Sequence, residues 1–226
     1  TLTQVEAGIA TKKLHRLISV ELGHHEKAMW ARTDQSGWAD TTAMMYAQSM
    51  ASGRPVAGET ERSAKLDAVI EYVRELQHPC VVLTHFTESL HYVYRGLIKA
   101  GIRTERIWGQ DQGADHRAEI IEEFTTGTVE CLVCNVATVK VGLNLSAADT
   151  LIFAENSYSG ETRIQAEERA TAMGKAAVEV VDFISEGAPM IGEIDRRILE
   201  TVRAKKDFNR YCMNSKKRNA EVINHG

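Results

Sequence analysis

Residues 63–210 predict an α/β fold, a mostly parallel sheet with helices on both faces. Three observations lead there. Short apolar runs alternate along the chain with stretches whose apolar residues recur at spacings of three and four. Glycine, proline or a capping Ser or Thr marks the switches between the two patterns. Strand and helix patterns follow one another singly, so the connections cross over the sheet, right-handedly.

In order, Ser63 is expected to cap a helix with Leu66, Val69, Ile70, Val73 and Leu76 inward, ended by Pro79. Cys80-Val-Val-Leu-Thr84 reads as a short buried strand. Thr87 is expected to cap the next helix, which turns Leu90, Val93, Tyr94, Leu97 and Ile98 inward and closes at Gly101. A strand over 102–108 leads into a loop over 109–114 rich in Gly, Gln and Asp. A helix from about Asp115 carries Ile120, Ile121 and Phe124 and stops at Gly127. A strand over 129–136, a long loop, a strand over 150–155, a helix over 161–173, a strand over 177–184 and a helix over 193–206 complete the series.

Residues 1–62 have another texture and predict a smaller, mainly helical lead-in. Ile18, Val20 and Leu22 alternate as one short strand, ended by Gly23. A methionine- and alanine-rich helical stretch follows from about Glu26 to Met50, then the turn-rich tract Ser52-Gly-Arg-Pro-Val-Ala-Gly58. Residues 211–226 form a basic tail. The cluster Arg203, Lys205, Lys206, Arg210, Lys216, Lys217 and Arg218 is either a solvated tail or a non-specific DNA patch.

Composition narrows the function. Hydrophobic residues at 43% and charged residues at 26% exclude disorder as the main state, and no apolar run is long enough to span a membrane. Net charge is −4, so a polyanion would have to meet a local basic surface. Cys131 and Cys134 form a C-x-x-C, but inside a strand that spacing sends the sulfurs to opposite faces. With no second pair or suitable histidines, no metal site is expected. Thr1, standing where a methionine would, suggests a segment of a longer chain.

Ligands of such sheets sit beyond the carboxyl ends of the strands, here the loops after Leu83, Trp108, Val136 and Glu155. No phosphate-loop or dinucleotide-binding glycine motif is present, and no nucleophile elbow. Within the loop over 136–149, Gly142 would let backbone approach a ligand, and Asn144 offers a donor and an acceptor, or serves the loop itself together with Ser146. Gln165 and Arg169 lie four apart on one helix face. There Arg169 could meet a phosphate, or pair with Glu161 or Glu168.

Order and spacing add a resemblance. Val141-Gly-Leu-Asn-Leu-Ser-Ala-Ala-Asp149, then a strand, then Gln165-Ala-Glu-Glu-Arg-Ala-Thr-Ala-Met-Gly-Lys175 resemble the fifth and sixth motifs of the second RecA-like lobe of Swi/Snf-type superfamily 2 helicase-like ATPases. Lys65-Leu-Asp67 with Val81-Val-Leu-Thr-His-Phe86 is similar to the family's opening helix and fourth motif, and Ile194-Asp-Arg-Arg-Ile-Leu-Glu200 to its closing helix. The likeness covers roughly residues 63–207. A weaker one covers Val20-Glu-Leu22 and the stretch around Trp30 and Tyr46, which look like the lead-in between lobes.

The resemblance implies an ATP site shared between two lobes, with ATP and magnesium held mainly by an amino-terminal lobe that this chain lacks. Gln165 and Arg169 would be its catalytic contribution, and Gly142, Asn144 and Arg169 its nucleotide contacts. Thr84, His85, Thr138, Lys140 and Ser146 would hold double-stranded DNA through its phosphates, without base specificity. The protein would then work in the nucleus of a eukaryote, or in the cytoplasm at the nucleoid of a prokaryotic or viral system. Three positions depart from the family pattern: Ala172 replaces the second arginine of motif six, Val139 and Lys140 replace a glycine pair, and Lys175 replaces the last glutamine. The alternative is a catalytically silent RecA-like module that binds nucleic acid or a protein.

Overall fold

The computed structural model describes residues 11–34, 49–53, 62–109, 113–156, 159–172, 175–188, 191 and 193–204. Its strands are β1 (Lys12–Glu21), β2 (Cys80–Thr84), β3 (Thr104–Ile107), β4 (Cys131–Asn135), β5 (Thr150–Phe153) and β6 (Ala177–Glu186). Its helices are α1 (His24–Asp34), α2 (Ala64–Glu75), α3 (Thr87–Lys99), α4 (Ala114–Thr125), α5 (Gly160–Arg169) and α6 (193–204). One sheet holds all six strands in the order β1-β6-β5-β2-β4-β3, every pair parallel. The predicted α/β architecture is therefore the observed one.

Sequence dictates the order. β2 and β5 are buried along their whole length and β4 along all but its last residue, so their uninterrupted apolar runs can only sit inside the sheet. β1 and β3 carry charges and take the edges. Alternation then splits the core. Val81, Leu83, Cys134 and Phe153 face α4 and α5, whereas Cys80, Val82, Cys131 and Ile152 face α2 and α3. The sulfurs of Cys131 and Cys134 thus lie on opposite faces. Among the described residues no group of His, Cys, Asp or Glu could hold a metal, and no helix is long and apolar enough to cross a membrane.

The expectations for the lead-in need one correction. Its strand runs from Lys12, well before Ile18, and pairs with β6 in a ten-residue register. An edge strand keeps water along one side, so Lys12, Lys13, His15 and Arg16 are tolerated and hide the strand pattern. Only Ile18 and Val20 pack on the α2–α3 core, where alternation shows. Behind the strand, Met29 and Trp30 of α1 cluster with Leu22, Met50, Ala51 and Ile191. The helical reading over 35–48, the Gly109–Ala114 loop in part and the basic tail fall outside the described residues.

Buried charge fastens the start of α2 to α6. Ser63 caps α2 as expected, accepting from the Leu66 amide at 3.2 Å. Lys65, fully buried, donates to Asp195 Oδ2 of α6 at 2.7 Å and to the Ala51 carbonyl at 2.9 Å. Asp195 also accepts the Ser185 amide at 2.8 Å, where β6 is ending.

Candidate functional site

The site is built where β2, β4 and β5 end. Thr84, the last residue of β2, is fully buried, and its hydroxyl donates to the Cys134 carbonyl at 3.5 Å. His85 is exposed, but its amide donates to Glu155 Oε2 at 2.5 Å and its carbonyl accepts from Asn135 Nδ2 at 2.9 Å. After β4, the loop expected over 136–149 opens with a 3-10 helix, Val136–Val141, because Asn135 Oδ1 accepts the Ala137 amide and starts a turn. Thr138 is buried there, its hydroxyl donating to Asn135 O at 2.6 Å. Lys140 lies in the same turn.

Gly142 ends the turn at φ 87°, a left-handed conformation that a side chain would strain, and nothing stands within 4 Å of where a Cβ would be. Exposed Asn144 spends its Oδ1 on the Ser146 amide at 3.1 Å. The carbonyls of Ser146 and Ala148 both accept from Lys175, which also lies 3.5 Å from Asp149. Lys175 therefore clamps this loop and is spent on it.

α5 delivers the other half. Ser159 caps it through the Thr162 amide, and it stops at Arg169 rather than at 173. Thr171 folds back, its hydroxyl donating to the Glu168 carbonyl at 2.7 Å, and the Arg169 carbonyl is taken by the Leu145 amide at 3.1 Å. That last bond sets the Gly142–Ser146 loop against the end of the helix. Arg169 is exposed, and among the described residues it has no ion pair. Glu168 is taken by Lys13 and Glu161 by Gln165. Gln165 is half-buried, with its Nε2 on Glu161 and its Oε1 without a hydrogen-bond partner among the described residues. Ala172 lies beyond the helix, so it does not share the face of Gln165 and Arg169. Its amide and its carbonyl are both held by the Thr11 hydroxyl.

Two further groups were not foreseen from sequence. Thr87 does not cap α3. It is the first helical residue, and the N-cap position, Phe86, offers no side-chain bond. Glu155 does the capping from the turn after the adjacent strand β5. It is 1% exposed, and it accepts the His85 and Phe86 amides on Oε2 and the Ser89 hydroxyl on Oε1 at 2.5 Å. Under α5, Arg163 grips Asp182 of β6 with both guanidinium nitrogens, donates to Glu167 and Asn156, and stacks 3.9 Å over the Phe153 ring. Both groups announce themselves as charges inside apolar runs, Glu155 after Leu-Ile-Phe-Ala and Asp182 between Val181 and Phe183.

Burial lifts the Glu155 carboxyl to about 7, against the opposing pull of Ser89, the two amides and Lys65. Because this pKa is raised above its unfolded value, the stabilisation it brings is complete below the unfolded pKa near 4.5 and is lost as pH rises through 7. Glu155→Gln keeps an acceptor for the amides but cannot ionise. Relative to that variant, the native chain should lose about 3 kcal/mol of stability across this window. Urea melts of both proteins from acid to neutral pH measure the difference. A constant gap would refute the shift.

Residues 64–174 match the model of the helicase conserved C-terminal domain. The chain is 30% identical over 130 residues to Chromodomain-helicase-DNA-binding protein 1-like of Danio rerio, covering 57% of this chain and 12% of that protein. It is 29% identical over 142 residues to the SWI/SNF-related regulator of chromatin subfamily A-like protein 1 of Xenopus tropicalis, covering 58% and 15%. Residues 64–174 carry the helicase conserved C-terminal domain, and the chain is similar to second RecA-like lobes of the Swi/Snf type. The fold agrees: the C-terminal domain of the Sulfolobus solfataricus SWI2/SNF2 ATPase superposes with a TM-score of 0.65 at 16% identity, over 86% of this chain and 87% of that one. The core of that ATPase in complex with dsDNA gives 0.62 at 18%, over 78% and 42%. The chain thus spans less than a sixth of either curated relative. The Gly142–Ser146 loop and the end of α5 meet through Leu145 and Arg169 on the side where the strands begin, since the neighbouring Glu168 pairs with Lys13 of β1 and Ala172 is held by Thr11.

Proposed function

We propose that this chain is the carboxyl-terminal motor lobe of a DNA-dependent Swi/Snf-like ATPase, a translocase or remodeller. An amino-terminal lobe would hold ATP and magnesium. This lobe would add Arg169 and Gln165, with Gly142 and Asn144 lining the nucleotide. The observation that carries the reading is Arg169, exposed, without an ion pair among the described residues, and fixed against the Gly142 loop by the Leu145 bond. A guanidinium so placed can stabilise charge that grows on a transferring phosphoryl group. The Danio relative is named a DNA-binding protein, and the Sulfolobus core is in complex with dsDNA. By that analogy the duplex would run over the carboxyl edge, past His85, Thr138 and Lys140, whereas Ser146, held by Lys175 ahead of β6, lies toward the opposite edge and drops out of that surface. The hydroxyls of Thr84 and Thr138 are turned inward, so their part would be to shape the loops and not to touch phosphate. The protein would act where DNA is kept, in a nucleus or at a nucleoid.

Two measurements test the split site. Calorimetric titration of the 226-residue chain should show ATP binding weaker than ~1 mM, about −4 kcal/mol, because no phosphate loop is present. Micromolar binding would reject the arrangement. Duplexes of unrelated sequence should compete equally for the chain, and their affinity should drop as salt rises. A marked sequence preference would count against backbone contact.

One observation favours the alternative, a silent module. Ala172 offers no second cation, and Lys175, the nearest replacement in sequence, is occupied by the carbonyls of Ser146 and Ala148. Reading the frame upstream separates the two cases, since a motor needs a phosphate loop and an Asp-Glu box there.

A further inference from the structure

Glu155 sits where three loops of the carboxyl edge meet. Its Oε2 takes two consecutive amides that follow β2, His85 at 2.5 Å and Phe86 at 2.9 Å. Its Oε1 takes Ser89, one turn into α3. The same His85 offers its carbonyl to Asn135, which ends β4 and whose own carbonyl accepts Thr138. Asn156, the next residue, bonds to Asp182 and Arg163 and so ties the hub to β6 and α5. One carboxyl group therefore sets the shape of the turns after β2, β4 and β5.

We propose that Glu155 is a positioning residue that couples proton uptake to duplex binding, because its charge lies beneath the turns that would carry DNA phosphates. This rests on the reading of the carboxyl edge as the duplex-contacting surface. A phosphate brought to His85 adds a second negative charge above a buried carboxylate, with little water between them. Binding then favours the protonated carboxyl, so the free energy of binding includes the uptake of a proton. Affinity is highest below the pKa of the free protein and falls as pH rises through it. That pKa is about 7, where the change would be felt.

The other charges near the hub have been set against this. Lys65 of α2 attracts the carboxylate and lowers its pKa. Asp182 of β6 is held by the guanidinium of Arg163, so the pair adds little net field. His85 titrates lower than an ordinary histidine because of desolvation, and its effect belongs to a more acid range. His91 of α3 is pushed down as well, by desolvation and then by Arg106 and Arg95.

The test is fluorescence anisotropy of a labelled DNA duplex with the 226-residue chain, across pH at constant ionic strength. The native chain should lose about tenfold in affinity between about pH 6 and pH 8. Glu155→Gln should bind at the upper pH as tightly as the native chain binds at the lower one, with its profile flattened. Ser89→Ala removes a bond that favours the ionised form, so the midpoint should move to higher pH with the step retained. A purely structural role would change melting temperature and leave both midpoints where they were. A Glu155→Gln profile that keeps the native step overturns the proposal, and so does a Ser89→Ala midpoint that does not move. If Glu155→Gln does not fold, the Ser89→Ala midpoint decides alone. Lys140→Glu serves as the control for the surface itself. If it leaves affinity unchanged, the duplex is not on this edge and both the edge reading and the proposal fall. If it weakens binding while the pH step ignores Glu155 and Ser89, only the proposal falls.

Discussion

Arg169→Ala, placed in a protein that carries both lobes, should lower DNA-stimulated ATP turnover by about 10³-fold or more, the range found for arginines that stabilise phosphoryl transfer. The fold should be indifferent. Arg169 is the last residue of α5, exposed, and its side chain leaves no partner behind among the described residues. Alanine is a good helix former, and the carbonyl that Leu145 needs remains. Arg169→Lys should recover only part of the rate, since it restores charge without the planar fork. Ala172→Arg should raise turnover by adding the second cation, from a backbone that Thr11 already holds in place. Steady-state ATPase assays with and without DNA decide the matter. Unchanged turnover in Arg169→Ala, together with no gain in Ala172→Arg, would leave the silent module as the better account.

Lys65→Met should be the most damaging of the single changes to stability, at about 3–5 kcal/mol. The ammonium is fully enclosed and supplies Asp195 and the Ala51 carbonyl at once. Removing it leaves a carboxylate in an apolar interior with the Ser185 amide as its remaining donor. The loss is the cost of an unpaired charge, not the net worth of the pair. The double variant Lys65→Met/Asp195→Leu should therefore recover most of the stability, because two apolar groups can fill the space that two charges needed. Chemical denaturation of the three variants closes the cycle. A double variant as unstable as the single would show that this pair is itself the source of stability.

Much of this architecture was legible because β2, β4 and β5 are unbroken apolar runs, and nothing else places such runs in a chain this polar. The caps of α2 and the left-handed glycines after α3 and α4 followed from the same punctuation. β1 was legible only where α2 covers it, since an open edge imposes no alternation on Lys12 to Leu17. The end of α5 was overrun because Thr171 and Ala172 do not break a helix by propensity. It is the Leu145 amide and the Thr11 hydroxyl, from distant parts of the chain, that draw the backbone away. At the site, Gln165 and Arg169 were found by spacing, which is a local property. Glu155 was missed because its partners are 66 to 70 positions away, and no local rule assigns a helix cap to a residue in the turn after another strand.

The pairing of β1 with β6 has a consequence for synthesis. The Ser19 hydroxyl meets Glu186 across 167 positions of sequence, and the two strands align along their whole length. At ~5–20 residues per second, β1 leaves the ribosome roughly 10–30 s before its partner exists. Throughout that interval it is a ten-residue β-former with Leu14 and Leu17 among its side chains and no sheet to join. Its own basic side chains, Lys12, Lys13, His15 and Arg16, oppose pairing with another nascent copy, by like-charge repulsion on a polysome. The same charges that hid the strand from a pattern search protect it until the sheet can close.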